Sequence, residues 1–234
     1  MSRFRYVIPN LLTSANVGMG MLSILAAAGG KFDLAVYLLV AAAILDMADG
    51  PVARLLHGTS KFGQQMDSLS DCASFCVAPA LLVYWAVLDE LGRFGVAVAF
   101  VYLICGVLRL ARFNVSEDAH EKSQRSVGLP VPVAAGYLMA VVLMRDHLTP
   151  VAAVAVVLFM AGVMISRLPL PNTKGKVTVA AVLIAVLNYF AVVIWPNWYT
   201  VAWWNIWNVV IVVIAAREAR QFDAARVAPP AEAS

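Results

Sequence analysis

Charge is what this sequence has least of. Only 13% of its 234 residues are Asp, Glu, Lys or Arg, while 62% are hydrophobic. A water-soluble domain carries about 25% charged residues, so a chain this poor in them has too little polar side chain to cover a globule in water. Cysteine is scarce as well: Cys72, Cys76 and Cys105 all fall within apolar runs and offer neither a disulfide framework nor a metal-ligand spacing. Cys72 and Cys76, one helical turn apart, read as small helix-packing residues. The three histidines, His57, His120 and His147, are scattered in or near loops and receive no chemistry. What fills the chain instead is long apolar stretches interrupted by short polar breaks.

A bilayer core is about 30 Å thick and a helix rises about 1.5 Å per residue, so one crossing takes roughly 20 apolar residues. The apolar windows predict an all-α polytopic bundle of about eight helices at 10–29, 33–56, 65–88, 94–115, 129–145, 150–166, 177–195 and 199–216. The breaks between them, such as "GGKFD", "LHGTSKFG" and "SRLPLPNTKGK", carry Gly, Pro, Asn and charge. Six helices would also be an even number, and the short windows 129–145 and 150–166 decide between the two counts. With the N-terminus inside, 14 of the 17 Lys and Arg residues lie on the cytoplasmic side; only Lys31, Arg93 and Arg145 lie opposite. This places both termini in the cytoplasm of a cell (inner) membrane, and it accounts for the net charge of +3 without a nucleic-acid partner.

Arg3 and Arg5 ahead of an apolar stretch imitate a cleavable signal, but Asn10, Thr13 and Asn16 make a retained first helix the better reading. Residues 1–216 read as one transmembrane catalytic domain. Residues 217–234, "REARQFDAARVAPPAEAS", lack a sustained apolar face and read as a flexible cytoplasmic tail. Trp195, Trp198 and Tyr199 sit at the outer boundary, where an aromatic belt belongs.

Against this background four acids stand out in "LDMADGPVARLLHGTSKFGQQMDSLSDCASF". Asp46, Asp49 and Ala53 share one face of the second helix at i, i+3, i+7, with Gly50 adjoining; Asp67 and Asp71 share a face of the third at i, i+4. An antiparallel hairpin turning near Gly58 brings Asp49 level with Asp67 and Asp46 level with Asp71, as two stacked layers. A carboxylate at mid-bilayer costs about 2.5–3.5 kcal/mol even on a lenient scale, and mutual repulsion adds to it. No lysine lies in these helices and one arginine cannot neutralise four acids, so bound cations are expected. All-oxygen ligands favour Mg²⁺ or Mn²⁺, with Ca²⁺ a further candidate, and two divalent ions balance four carboxylates. Such a pair seats phosphate oxygens and suits phosphoryl transfer. Gly50 and Ala53 would let a flat base or ribose approach the backbone, or else serve helix packing.

The complete pattern, Asp46-x2-Asp49-Gly50-x2-Ala53-Arg54-x8-Gly63-x3-Asp67-x3-Asp71, resembles the signature of the CDP-alcohol phosphotransferase family at every specified position and gap. The resemblance implies the family's membrane helical fold, a homodimer, and transfer of a phosphatidyl-type group from a CDP-linked lipid to an alcohol with release of CMP. "IPNLLTSAN", "CGVLRLARFNV" and "GLPVP" further resemble integral-membrane phosphatidylserine synthases, which makes CDP-diacylglycerol and L-serine the expected substrates. One position departs: those synthases carry an aromatic residue two places before the glycine of "GLPVP", and here it is Ser126. Carried onto this chain, the resemblance makes Asp46, Asp49, Asp67 and Asp71 metal ligands and Asp71 also the general base. It places Gly50, Ala53, Arg54 and Gly63 beside the CDP moiety with Asp49, and Asn10 and Thr13 of the first-helix polar stripe join them or serve helix-to-helix hydrogen bonding. Arg109, Arg112 and Asn114 are the expected serine-binding residues; snorkelling to headgroups is the alternative for the two arginines.

Intramembrane acids also mark ion-coupled transporters. That class predicts inverted repeats, whereas here the acids occupy one hairpin and the later spans contain none. Another acceptor alcohol, glycerol phosphate or inositol phosphate, is the nearer alternative to serine.

Overall fold

A computed structural model of the chain describes residues 4–118, 128–166 and 176–227, and within these it is entirely helical. There are eight helices among the described residues: α1 (Phe4–Ala28), α2 (Phe32–Leu55), α3 (Lys61–Leu91), α4 (Arg93–Asp118), α5 (Val131–Leu143), α6 (Pro150–Ile165), α7 (Lys176–Ile194) and α8 (Trp198–Val227). They match the eight sequence windows to within four residues except at two ends: α1 begins at Phe4, six residues before its window, and α8 runs past the end of its own. α8 continues to Val227 where a tail from 217 was expected, because "REARQFDAAR" is built from good helix formers and contains neither Gly nor Pro. Glu218 and Asp223 therefore do lie within a helix of the later half, beyond its apolar stretch.

Three helical segments are long and apolar enough to cross a bilayer, Tyr6–Ala28, Lys61–Leu91 and Arg93–Val115. α5 and α6 are apolar but shorter; at 13 residues α5 extends about 20 Å. The chain is a polytopic membrane helical bundle. α1 to α6 form one compact unit, and α7 and α8 form another.

In the first unit α1 and α2 pair along their lengths. Ser23 Oγ donates to the Ala35 carbonyl at 2.9 Å at one end of the pair, and Thr13 and Asn16 bond α2 acids toward the other. α3 begins with a cap: the Ser60 hydroxyl accepts from the Gly63 amide at 3.0 Å. The turn before it places His57 at a φ of 51°, the left-handed region, and the turn from α3 to α4 places Gly92 at 54°. Arg145, in the turn after α5, reaches Asp33 at 2.6 Å and lies over the Phe32 ring, 5.8 Å from its centroid. The Asp33 carboxylate raises the Arg145 pKa above its ordinary value. The core consists of fully buried Leu39, Phe75, Leu82, Tyr102, Leu138 and Met164.

α3 is not uniform. Cys72–Val77 is wound in wide π-helical turns, and Tyr84–Leu88 is a second such stretch. Pro79 stands just after the first, so the Phe75 carbonyl lacks the amide that an α-helix would supply four residues on. The buried Tyr102 hydroxyl of α4 donates to that carbonyl at 3.0 Å.

In the second unit, Asn197 caps α8 by accepting from the Tyr199 and Thr200 amides at 2.9 and 3.0 Å. Trp203 Nε1 donates to Asn188 Oδ1 at 2.8 Å, and Tyr189 packs on Trp204 with ring centroids 5.0 Å apart.

Candidate active site

The acids of α2 and α3 converge. Oxygen atoms of Asp46, Asp49 and Asp67 lie within 4.8 Å of one another. Asp71 lies against Asp46, the two close enough to share a proton or a cation, and its Oδ1 is buried with no hydrogen-bond partner. In place of two layers of two, Asp46, Asp49 and Asp67 form one set, and Asp71 joins it through Asp46.

α1 supports this cluster from behind. Thr13, 4% exposed, donates to Asp49 Oδ2 at 2.8 Å, and Asn16, 0% exposed, donates from Nδ2 to Asp46 Oδ1 at 3.3 Å. Ser70 and Ser74 of α3 donate in turn to the Thr13 and Asn16 carbonyls at 3.3 and 3.2 Å. Each of two α1 residues thus orients an α2 acid with its side chain and anchors α3 with its backbone. Close packing makes this possible: a Cβ on Gly20 would stand 2.5 Å from Ser74 Oγ and 3.1 Å from its Cα. Neither serine was singled out from the sequence. The signal was there, since Asp67, Ser70, Asp71 and Ser74 recur at i, i+3, i+4, i+7 along one helical face.

The donor set fits a hard divalent cation. Two carboxylates about 4 Å apart repel by about 4 kcal/mol at an effective dielectric near 20, and a set of three holds three such pairs. The donors are all oxygens, and the buried Asp71 Oδ1 and Asn16 Oδ1 both lack a partner. Arg109 is the basic group felt by Asp71; it is 9% exposed, with its guanidinium 5.3 Å from the Phe113 ring centroid.

The residues expected around CDP gather on the same side. Gly63 brings its bare Cα toward α1, where a Cβ would stand 3.6 Å from Asn10 Oδ1. Arg54 folds back over Gly50, its Nη1 3.6 Å from where a Gly50 Cβ would be, so the glycine leaves room for a guanidinium above the helix. Ala53 is half-buried on the same helix. Asn10, Thr13, Asp49, Gly50, Arg54 and Gly63 therefore belong to one three-helix neighbourhood.

This three-helix acid cluster falls wholly inside the span, residues 6–168, that matches the sequence model described as CDP-alcohol phosphatidyltransferase. The chain belongs to that family. A Helicobacter pylori protein named CDP-diacylglycerol–serine O-phosphatidyltransferase is 38% identical over 175 residues, covering 72% of this chain and 73% of its own. A Bacillus subtilis protein of the same name is 31% identical over 167 residues, covering 71% and 91%. A Methanothermobacter thermautotrophicus protein named archaetidylserine synthase is 36% identical over 173 residues, covering 72% and 71%. As a member of this family the chain is a membrane-bound transferase of phospholipid biosynthesis.

The three residues expected at a serine pocket separate. Arg109 is in reach of Asp71. Asn114 Oδ1 accepts from Ser68 Oγ at 2.9 Å, beside Asp67, which leaves its amide nitrogen as the end that would meet a substrate. Arg112 donates to the Ser166 and Ile165 carbonyls at 3.1 and 3.4 Å, closing the C-terminal end of α6. Gly128, at φ 82°, packs beneath it so tightly that a Cβ would meet Arg112 Nη2 at 3.1 Å and collide with the Met164 carbonyl. The glycine of "GLPVP" is thus fixed by backbone conformation and by close approach. Ser126 lies outside the described residues.

Proposed function

We propose that this enzyme transfers a phosphatidyl group from CDP-diacylglycerol to the hydroxyl of L-serine, giving phosphatidylserine and CMP. The observation that carries the proposal is the convergence of α2 and α3 carboxylates on one another, backed by Thr13 and Asn16 of α1. The serine acceptor is supported by the names of the relatives from Helicobacter pylori and Bacillus subtilis.

Asp46, Asp49, Asp67 and Asp71 would hold two divalent cations, Mg²⁺ or Mn²⁺, with Ca²⁺ a further candidate. When bound, such ions neutralise pyrophosphate charge and lower the energy of the departing CMP. The chain's own residues do the rest. Asn10, Gly50, Ala53, Arg54 and Gly63 bracket the cytidine diphosphate, with Arg54 free to swing from Gly50 onto a phosphate, since it is exposed. Asp71 takes the proton of the serine hydroxyl through Oδ1 as the new oxygen–phosphorus bond forms and the bond to CMP breaks. Arg109 receives the serine carboxylate and Asn114 donates to it, while Arg112 shapes that wall by holding α6.

The protein acts as a homodimer in the cell (inner) membrane, with termini and site facing the cytoplasm and residues 1–216 forming the catalytic domain. Purified protein given CDP-diacylglycerol, Mn²⁺ and one acceptor at a time tests the proposal. CMP release with L-serine supports it; release only with glycerol phosphate or inositol phosphate overturns the acceptor. The archaeal relative's name favours one second reading, the same transfer from an ether-linked CDP-lipid, which the same assay separates by donor.

A further inference from the structure

The wide turns of α3 begin one residue after Asp71 and end two residues before Pro79. A π-helical turn inserts about one extra residue, which rotates the helix on one side of it by about 100° relative to the other. Upstream, Asp67 and Asp71 point toward the α2 acids and Ser70 is bonded to α1. Downstream, Ala78, Ala80, Leu82 and Val83 are buried in the core. If these turns tightened to ordinary α-turns while the downstream half kept its place in the core, Asp67 and Asp71 would rotate by about 100° from their present direction toward the α2 acids.

Pro79 makes the wide turns feasible by withholding an amide, and this frees the Phe75 carbonyl inside a region where neither Phe75 nor Tyr102 has any exposure. The Tyr102 hydroxyl fills that position at 3.0 Å. We infer that Tyr102 is a positioning residue for the reaction: by bonding the Phe75 carbonyl it holds α3 in its wide-turn form and so keeps Asp71 aimed at the acid cluster. The inference rests on the proposed role of Asp71 and adds a residue about one turn beyond the site, on a different helix.

The test compares the full-length wild type with Tyr102→Phe, which keeps the ring and removes the hydroxyl, and with Tyr102→Phe/Pro79→Ala, which gives the Phe75 carbonyl an amide within its own helix. Two readouts are taken: thermal stabilisation by Mn²⁺ alone, and kcat and KM for CMP release. For Tyr102→Phe the half-saturating Mn²⁺ concentration should rise about 10-fold and kcat fall about 10-fold, with KM for CDP-diacylglycerol within about twofold. In the double variant the melting temperature without Mn²⁺ should recover while kcat stays low, because the straightened helix misdirects Asp71. Unchanged kcat and Mn²⁺ response in Tyr102→Phe would overturn the inference. So would recovery of kcat together with melting temperature in the double variant. A wild type that Mn²⁺ fails to stabilise would sink the metal reading itself; a stabilised wild type with an unaffected Tyr102→Phe would sink only this inference.

Discussion

Replacing Thr13 by Val removes, at nearly constant volume, one hydroxyl proton that has two acceptors, Asp49 Oδ2 at 2.8 Å and the Pro9 carbonyl of its own helix at 3.1 Å, of which the charged and nearer carboxylate is the stronger. The Thr13 hydroxyl is 4% exposed and donates to Asp49 Oδ2 at 2.8 Å. A hydrogen bond to a charged group contributes about 1.5–3 kcal/mol, which corresponds to about 10- to 150-fold in an equilibrium constant. Loss of an outer partner of a metal ligand costs about 10- to 100-fold in affinity, so two independent routes reach the same range. The loss should fall on cation binding, because the hydroxyl orients Asp49 and reaches no substrate atom in the proposed reaction. In a titration of CMP release with Mn²⁺, Thr13→Val should shift the half-saturating concentration upward by about 10- to 100-fold and approach wild-type turnover at saturation. Thr13→Ser, which keeps the hydroxyl, should stay within about threefold of wild type. An unshifted midpoint in Thr13→Val would refute the reasoning, as would an equal shift in Thr13→Ser.

Asp67→Asn and Asp71→Asn should each reduce CMP release to background while the protein still inserts in the membrane; turnover at the wild-type rate in either would remove that residue from the site. Gly20→Ala should lower stability by about 1–2 kcal/mol, since the added methyl would meet Ser74 2.5–3.1 Å away, and a melting temperature equal to wild type would show that α1 and α3 can part without cost. Arg112→Ala should lower the melting temperature and raise KM for serine and for CDP-diacylglycerol alike, because Arg112 bonds α6 carbonyls; a selective serine defect would return it to the pocket. Arg145→Met should cost less than about 1 kcal/mol, as expected of an ion pair whose Asp33 side chain is 53% exposed. The Arg145 pKa is raised, so its contribution is complete below the unfolded value and disappears only in strongly alkaline solution. The difference in melting temperature between wild type and this variant should therefore stay flat from neutral to mildly alkaline pH.

The helices and the acid hairpin were legible in the sequence for a definite reason. In a chain almost without charge, each apolar window is a helix by necessity, and an acid within a window demands a partner. Asp46, Asp49, Asp67 and Asp71 consequently announce both their position and their need for positive charge. Thr13 was legible as part of a polar stripe, but its role toward Asp49 required knowing that α1 packs against that face of α2. The Arg109 and Arg112 pair shows the limit most clearly. One helical turn separates them, yet one is buried near Asp71 and the other bonds the last carbonyls of α6, a difference that depends on which helix lies beside each and leaves no trace in the sequence. The wide turns of α3 leave only Pro79 as a trace in the sequence, and nothing there marks Tyr102 as the donor to the Phe75 carbonyl. The helical continuation to Val227 was missed because an apolar face was required of it, whereas local propensity sufficed.

Counting bound Mn²⁺ by electron paramagnetic resonance, on purified protein with CDP added, reaches the central claim most directly. Two Mn²⁺ per chain in the wild type, falling to one or none in Asp46→Asn, Asp49→Asn and Asp67→Asn, is the predicted result. A wild type that releases CMP while binding no Mn²⁺ or Mg²⁺, or variants that bind Mn²⁺ undiminished, would contradict it.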